Sequence, residues 1–217
     1  MDEMKGVPEV EGVIKYRLDY EKQMPTFWEG FAELNAWRNI LFQMHLIGQE
    51  PSRYGGLGYG NISCRSDREE AGFFISGTQT GGKENLGVSD YCRISQCDIR
   101  NNHIVAEGAV KPSSEALSHG SVYQLSPSIG CVIHVHSDVL WRCAKHMSLP
   151  MTDEKTPYGT VAMADEIAEL YHSGALDNTR LFVMAGHEDG VISFGDTIEQ
   201  AGAALIAQLS MAIQNFK

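Results

Sequence analysis

The chain has no run of about 18 apolar residues, so it predicts no membrane-spanning helix. The opening stretch MDEMKGVPEVEG has no apolar stretch of the kind a signal peptide carries, and a cytoplasmic location is expected. The five cysteines, Cys64, Cys92, Cys97, Cys131 and Cys143, are odd in number and form no C-x-x-C pair. That argues against a zinc ribbon or a disulfide scaffold and for reduced thiols. Positive charge is scarce: 17 Lys and Arg stand against 28 Asp and Glu, a net charge of -11. Such a surface repels nucleic acid and anionic lipid, so neither is an expected partner, and an anionic substrate needs a local binding site. The phosphate loop G-x-x-x-x-G-K-[ST] is absent. Gly55, Gly56, Gly58 and Gly60 do not stand in the strand-to-helix context of a dinucleotide fingerprint.

What is present is an ordinary globular composition, 43% hydrophobic over 217 residues, enough for one domain with a buried core. Residues 1–25, punctuated by Pro8 and Pro25, are weakly patterned and are expected to form an N-terminal arm or oligomer contact. Residues 26–217 are expected to form the domain. Phe27, Phe31, Leu34, Trp37, Leu41 and Met44 recur at steps of three and four, which predicts a helix from an N-cap at Thr26 to a stop at Gly48. Strands are predicted around 60–65 and 72–76, with a hairpin over 91–108 turning at Asn101-Asn102. A helix should start at Ser113 or Ser114. A strand over 130–136 follows, then helices over 137–147 and 161–174. RLFVMAG and GVISFG read as strands, and a capping box over Asp196–Glu199 opens a last helix ending near Phe216. This mixture predicts an α/β fold in which helices flank a largely antiparallel sheet.

His134 and His136 lie two apart in a predicted strand, so their imidazoles share one face and can share a metal ion. His187 sits in a turn between Gly186 and Gly190, directly after an apolar strand. Glu115, at a helix start, could supply a carboxylate. Three histidines and one carboxylate complete a tetrahedral shell, or leave one position open if the carboxylate moves. The remaining histidines read as structural, with His119 the most exposed to revision because it shares a helix face with Glu115.

Three segments suit an anion: Gly60-Asn61-Ile62-Ser63, Ser76-Gly77-Thr78, and Ser113-Ser114 at a helix N-terminus. Glycines allow close backbone approach, small hydroxyls and an amide donate hydrogen bonds, and a helix start adds partial positive charge. Each segment alone is equally well a turn or a cap.

Taken in order, GNIS (60–63), ISGTQTG (75–81), KPSSE (111–115), HVHS (134–137) and AGHEDGVISFG (185–195) resemble the class II aldolase/adducin family over roughly residues 27–214. In character the chain is similar to fuculose-phosphate aldolases, ribulose-phosphate 4-epimerases and methylthioribulose-phosphate dehydratases. The resemblance implies a three-layer α/β/α fold with a central, mostly antiparallel sheet, and a homotetramer with sites at subunit interfaces. It implies that His134, His136 and His187 ligate a divalent ion, zinc by expectation. Glu115 would be the fourth ligand and then the acid/base. Asn61, Ser76, Gly77, Ser113 and Ser114 would hold the substrate phosphate. The implied activity is a metal-dependent lyase cleaving a carbon–carbon bond through an enediolate, on a phosphorylated sugar or related hydroxy-carbonyl compound. Epimerase, dehydratase or non-catalytic adducin-like roles use the same scaffold. The tyrosine that the fuculose-phosphate aldolases carry some 19 residues after the second histidine is replaced here by Asp153-Glu154-Lys155, with Tyr158 reading as structural.

Overall fold

A computed structural model of the chain describes residues 12–24, 27–65 and 72–215. Ten strands are described: β1 (Arg17–Lys22), β2 (Gly48–Gln49), β3 (Gly58–Tyr59), β4 (Asn61–Arg65), β5 (Phe73–Ser76), β6 (Tyr91–Asp98), β7 (His103–Gly108), β8 (Cys131–His136), β9 (Leu181–Val183) and β10 (Gly190–Gly195). The helices are α1 (Phe31–Gln43), α2 (Ala116–Leu125), α3 (Asp138–Cys143), α4 (Val161–His172) and α5 (Ile198–Asn215). Eight strands form one sheet in the order β1-β7-β6-β5-β4-β8-β10-β9, and β2 pairs with β3 alone. Every neighbour in the large sheet is antiparallel except β1, which lies parallel to β7.

Strand side chains alternate between faces, and that alternation divides the core in two. Ile62, Cys131, Ile133, Val135 and Val191 pack in one apolar cluster with Leu34, Leu41, Leu140, Leu205 and Leu209 of α1, α3 and α5. Phe73, Ile75, Val132, Ile192 and Phe194 pack in the other with Leu117, Val122, Met163 and Ile167 of α2 and α4. The result is the expected three-layer α/β/α arrangement around a mostly antiparallel sheet.

Element boundaries differ from the sequence reading in instructive ways. Helix α1 begins only at Phe31, behind a left-handed Gly30 (φ 88°). Thr26, the expected N-cap, lies outside the described residues. Phe27 is 70% exposed rather than on a helix face, while Trp28 is buried and stacked on Phe74 with ring centroids 4.0 Å apart. The apolar spacing is real, but its first member belongs to the approach, where a buried indole anchors the chain. Within the segment expected as an arm, Arg17–Lys22 forms the edge strand β1, and Tyr16 donates its hydroxyl to Ser113 O at 2.7 Å. Helix α2 starts at Ala116, with Glu115 as its N-cap. The Thr197 hydroxyl accepts the Gln200 N–H (3.3 Å), so the cap of α5 stands one residue beyond the expected box. Asn102 turns the β6–β7 hairpin with φ 50°, as its sequence suggested.

One charged side chain of α1 holds the 80–84 loop. Arg38 of α1 is 1% exposed, and its guanidinium donates to Glu84 O (2.7 Å), Thr80 O (3.1 Å) and Gly81 O (3.0 Å). Five fixed donors suit an arginine to such a cluster of carbonyls. Substituting Met for Arg38 keeps the apolar stem but removes the donor to the carbonyls of Gly81 and Glu84, while Thr80 O still accepts the Lys83 N–H. The expected cost is about 2–3 kcal/mol in urea unfolding, with faster amide exchange across 78–84; an unchanged midpoint would remove this role.

Candidate metal centre and anion cleft

Because Ile133 and Val135 face the α1–α3–α5 layer, His134 and His136 of β8 face the opposite layer, toward α2. Antiparallel pairing of β8 with β10 brings the turn before β10 alongside them. That turn carries His187: its N–H is donated to Met184 O (3.0 Å), and its carbonyl accepts the Gly190 N–H (2.9 Å). Gly190 is required there, since a Cβ at that position would lie 2.5 Å from His187 Cδ2. The start of α2 then delivers Glu115 from above.

Ligand atoms of His134, His136 and His187 lie within 4.8 Å of one another. Glu115 Oε1 is 3.7 Å from His187 Nε2. All four side chains are buried: Glu115 and His134 are 0% exposed, His136 1% and His187 3%. Burial, and secondarily the neighbouring His187, hold His134 and His136 well below the usual imidazole range. They are therefore neutral, with lone pairs to offer. His134 Nε2 has no hydrogen-bond partner among the described residues, an unusual state for a buried nitrogen. Neutral imidazoles converging with a carboxylate on one dry spot are a donor set that fits a divalent transition-metal ion.

Two tyrosines brace the imidazoles. The Tyr158 ring lies 4.7 Å from the His187 ring, and its hydroxyl is in contact with Val13 N and Val13 O at 3.1 Å. The Tyr54 ring lies 4.5 Å from His136. The Tyr54 hydroxyl is 2.6 Å from both Asp189 Oδ2 and Arg53 Nη2, and burial with the adjacent Asp189 pushes its pKa far up. Sequence reasoning missed Arg53, Tyr54 and Asp189, since 135 residues separate the hydroxyl from its carboxylate and no spacing encodes that contact. A further polar chain lies behind the centre. His119 Nδ1 is 2.7 Å from Ser63 Oγ, which is 2.8 Å from the Tyr123 hydroxyl.

Beside the centre lies a polar cleft lined by Asn61, Gly77, Gln79, Ser113 and Ser114, together with Gly60. Four of the five residues expected to hold phosphate thus meet there. Ser76, the fifth, turns its hydroxyl to accept the Ile62 N–H at 3.1 Å. The Gly77 N–H is donated to Asp90 O (2.8 Å), so Gly77 contributes room rather than a donor: a Cβ there would meet Val110 Cγ1 at 2.4 Å. Gly60 takes φ 74°, a left-handed conformation that turns the chain into β4 directly before Asn61. Gln79, also left-handed at φ 56°, was not singled out by its sequence; its Oε1 accepts the Gly58 N–H at 3.1 Å.

Fold and site together define an α/β/α sheet protein in which three buried histidines and a carboxylate converge next to a polar cleft. The chain belongs to the class II aldolase and adducin N-terminal domain family, whose model matches residues 52–212. It is 33% identical over 81 residues to a methylthioribulose-1-phosphate dehydratase of Xanthomonas euvesicatoria pv. vesicatoria. That match covers 36% of this chain and spans only 33% of the relative's length. Among solved structures, an L-fuculose 1-phosphate aldolase superposes with TM-score 0.62 at 23% identity, covering 85% of this chain and 83% of that one. A sugar-phosphate aldolase from Thermotoga maritima gives TM-score 0.63 at 17% identity over 83% and 90% of the two chains. At those identities the structural matches speak for the fold.

Burial of His119 has a consequence for acid stability. Burial pushes its imidazole down to about 3, whereas the unfolded side chain titrates near 6.5. Between those values the unfolded chain holds a proton that the folded chain does not. Stability is complete above about pH 6.5 and falls as the pH drops toward 3. In His119→Gln, the stability lost between pH 7 and pH 5 should be smaller by about 2 kcal/mol. Urea titrations of both metal-free proteins at the two pH values check it, and identical losses would count against it.

Proposed function

We propose that the protein is a metal-dependent lyase acting on a small phosphorylated hydroxy-carbonyl compound such as a sugar phosphate. The observation that carries this reading is the contiguity of Ser113, Ser114 and Glu115. The hydroxyl residues of the anion cleft and the carboxylate of the histidine cluster are consecutive, so a bound phosphate lies at a set reach from the metal centre. His134, His136 and His187 would hold the ion, zinc by preference for this ligand set, with Glu115 as a fourth ligand before substrate enters. When bound, such an ion supplies Lewis acidity to a carbonyl and an adjacent hydroxyl oxygen.

The remaining work falls to the chain's own groups. Asn61, Ser113 and Ser114 donate hydrogen bonds to the phosphate, while the missing Cβ of Gly77 lets the cleft wall pack against Val110; that remote anchorage positions the reacting carbons. Glu115, released toward the substrate, accepts a proton from carbon or hydroxyl and can return it to the product. Interior packing around the four side chains excludes water and strengthens these interactions. Whether the bond broken is carbon–carbon or carbon–oxygen depends on a second proton-handling group. The sequence match to methylthioribulose-1-phosphate dehydratases favours elimination of water as the alternative outcome on the same scaffold. An epimerase on this scaffold would share these steps. An adducin-like role without chemistry is disfavoured by the intact histidines and Glu115. We further propose a cytoplasmic homotetramer, in which the apolar side chains exposed on and just after α1, Ile40 and Met44, and on α5, Met211 and Ile213, contribute to subunit contacts.

Two measurements test the reading. Protein loaded with zinc should hold about one ion per chain by elemental analysis, bound through nitrogen at about 2.0–2.1 Å in X-ray absorption. His136→Ala should lose it, and full occupancy in that variant would defeat the ligand assignment. Glu115→Gln retains size and most hydrogen bonding but not basicity. It should keep folding and most of the metal while lowering turnover by about a hundredfold or more, assayed against a panel of sugar phosphates for cleavage, dehydration and epimer formation. Near-normal turnover would leave Glu115 as a helix cap only.

A further inference from the structure

Asn61 and His134 are register partners on adjacent strands β4 and β8. Their side chains therefore emerge side by side on the α2 face, where Asn61 is 6% and His134 0% exposed. The amide nitrogen Nδ2 stands 3.2 Å from His134 Nδ1. Two polar atoms of this pair, Asn61 Oδ1 and His134 Nε2, lack any hydrogen-bond partner among the described residues. Both deficits have one cause. If the amide donates to Nδ1, the neutral ring carries its proton on Nε2, pointing it at a spot where nothing accepts it. The two arms of a carboxamide have nearly the same shape, and their assignment follows from the hydrogen bonds they make.

We propose that the Asn61 carbonyl oxygen accepts a hydrogen bond from His134 Nδ1–H, making Asn61 the positioning residue that fixes the tautomer and ring plane of this metal ligand. A half-turn of the amide gives Oδ1 its missing donor and strips the proton from Nε2. Nε2 then presents a bare lone pair beside His136 and His187. The same half-turn makes the NH2 the arm left for an anion in the cleft that Asn61 also lines. One side chain thus serves both halves of the site, holding the imidazole with its oxygen and the phosphate with its nitrogen. A buried amide lacks the charge of the carboxylates that often orient metal-bound histidines, so it holds His134 without adding charge to the interior.

The inference rests on the metal reading above, and the test separates the two. Zinc dissociation constants would be measured by chelator competition for the wild type, Asn61→Ala and Asn61→Asp, with inorganic phosphate binding followed in the same three proteins. Asn61→Ala removes both arms and should weaken zinc about 10- to 100-fold, the usual scale for losing such an orienting partner. Asn61→Asp keeps an acceptor oxygen but no donor, so zinc affinity should stay within about threefold of wild type or tighten, while phosphate binding falls in both variants. Unchanged zinc affinity in Asn61→Ala, or an Asn61→Asp as weak as Asn61→Ala, overturns the proposal. Absence of zinc binding by the wild type overturns the metal reading and this proposal with it. A readout independent of any variant is imidazole 15N NMR on the metal-free wild type. The proton of His134 should sit on Nδ1, and finding it on Nε2 overturns the assignment.

Discussion

Four ionisable side chains, each at most 3% exposed, converge in the interior, and desolvation governs what they can be. Three closely spaced imidazoles cannot all carry protons in such a place, because each charge would be unsolvated and each would repel the others. His134 and His136 are accordingly driven neutral. Neutral rings are poor acids but good ligands, so burial itself converts a histidine cluster into a metal-type donor set. A carboxylate at the same spot is the counterpart that such a set lacks, and Glu115 provides it within 3.7 Å. The rest of the fold can be understood as the means of keeping these groups buried and facing one another.

The sheet does most of that. Pairing of β8 with both β4 and β10 puts Asn61, His134 and Ile192 abreast, so one strand position fixes three side chains on one face. A one-residue slip in β4 or β8 would turn a site residue into the opposite core, where Ile133 and Val135 now pack. The apolar alternation of β8 therefore protects the histidines' orientation. Helix α2 closes the face from above, and Tyr16, reaching Ser113 O from just before the edge strand β1, ties the helix start to the far side of the sheet.

Legibility in the sequence followed the range of the interactions. The H-x-H period, the left-handed hairpin turn at Asn102 and the apolar run of β8 are encoded by neighbours, and they were readable. Gathering Glu115, His187 and the H-x-H strand into one site came from their number and chemical type, reinforced by motif order. What stayed hidden depends on contacts between distant segments. Trp28 lies off the helical spacing, and its burial becomes visible only with Phe74 stacked against it. Arg38 carries no local signal of its burial, which comes from the carbonyls of Thr80, Gly81 and Glu84 around it. Gly77 reads as a donor of backbone amide until Asp90 O is seen to occupy that N–H, and then its value is the missing Cβ.

The same contrast explains the backbone strain beside the site. Tyr54 (φ 47°), Gln79 (φ 56°) and Asp189 (φ 62°) adopt left-handed conformations that non-glycine residues avoid, and all three border the histidine cluster or the polar cleft. Such conformations cost on the order of 1 kcal/mol or more each and persist only where surrounding contacts over-determine them. Those contacts are present: the Tyr54 hydroxyl and the Asp189 carboxylate meet at 2.6 Å with Arg53 against both, and Asp189 O accepts the Ser137 N–H at 2.8 Å, directly after His136. Tyr54 and Asp189 thus strain two different loops against a single ion-paired contact, and that contact backs the His136 ring. Left-handed residues such as Asn102 and Arg180 do a different job, closing turns that lead into strands. At Tyr54 and Asp189 a relaxed turn would release the loop from β8 and with it the ring's rear wall. The strained pair thus holds the Tyr54 ring 4.5 Å from the ring of His136.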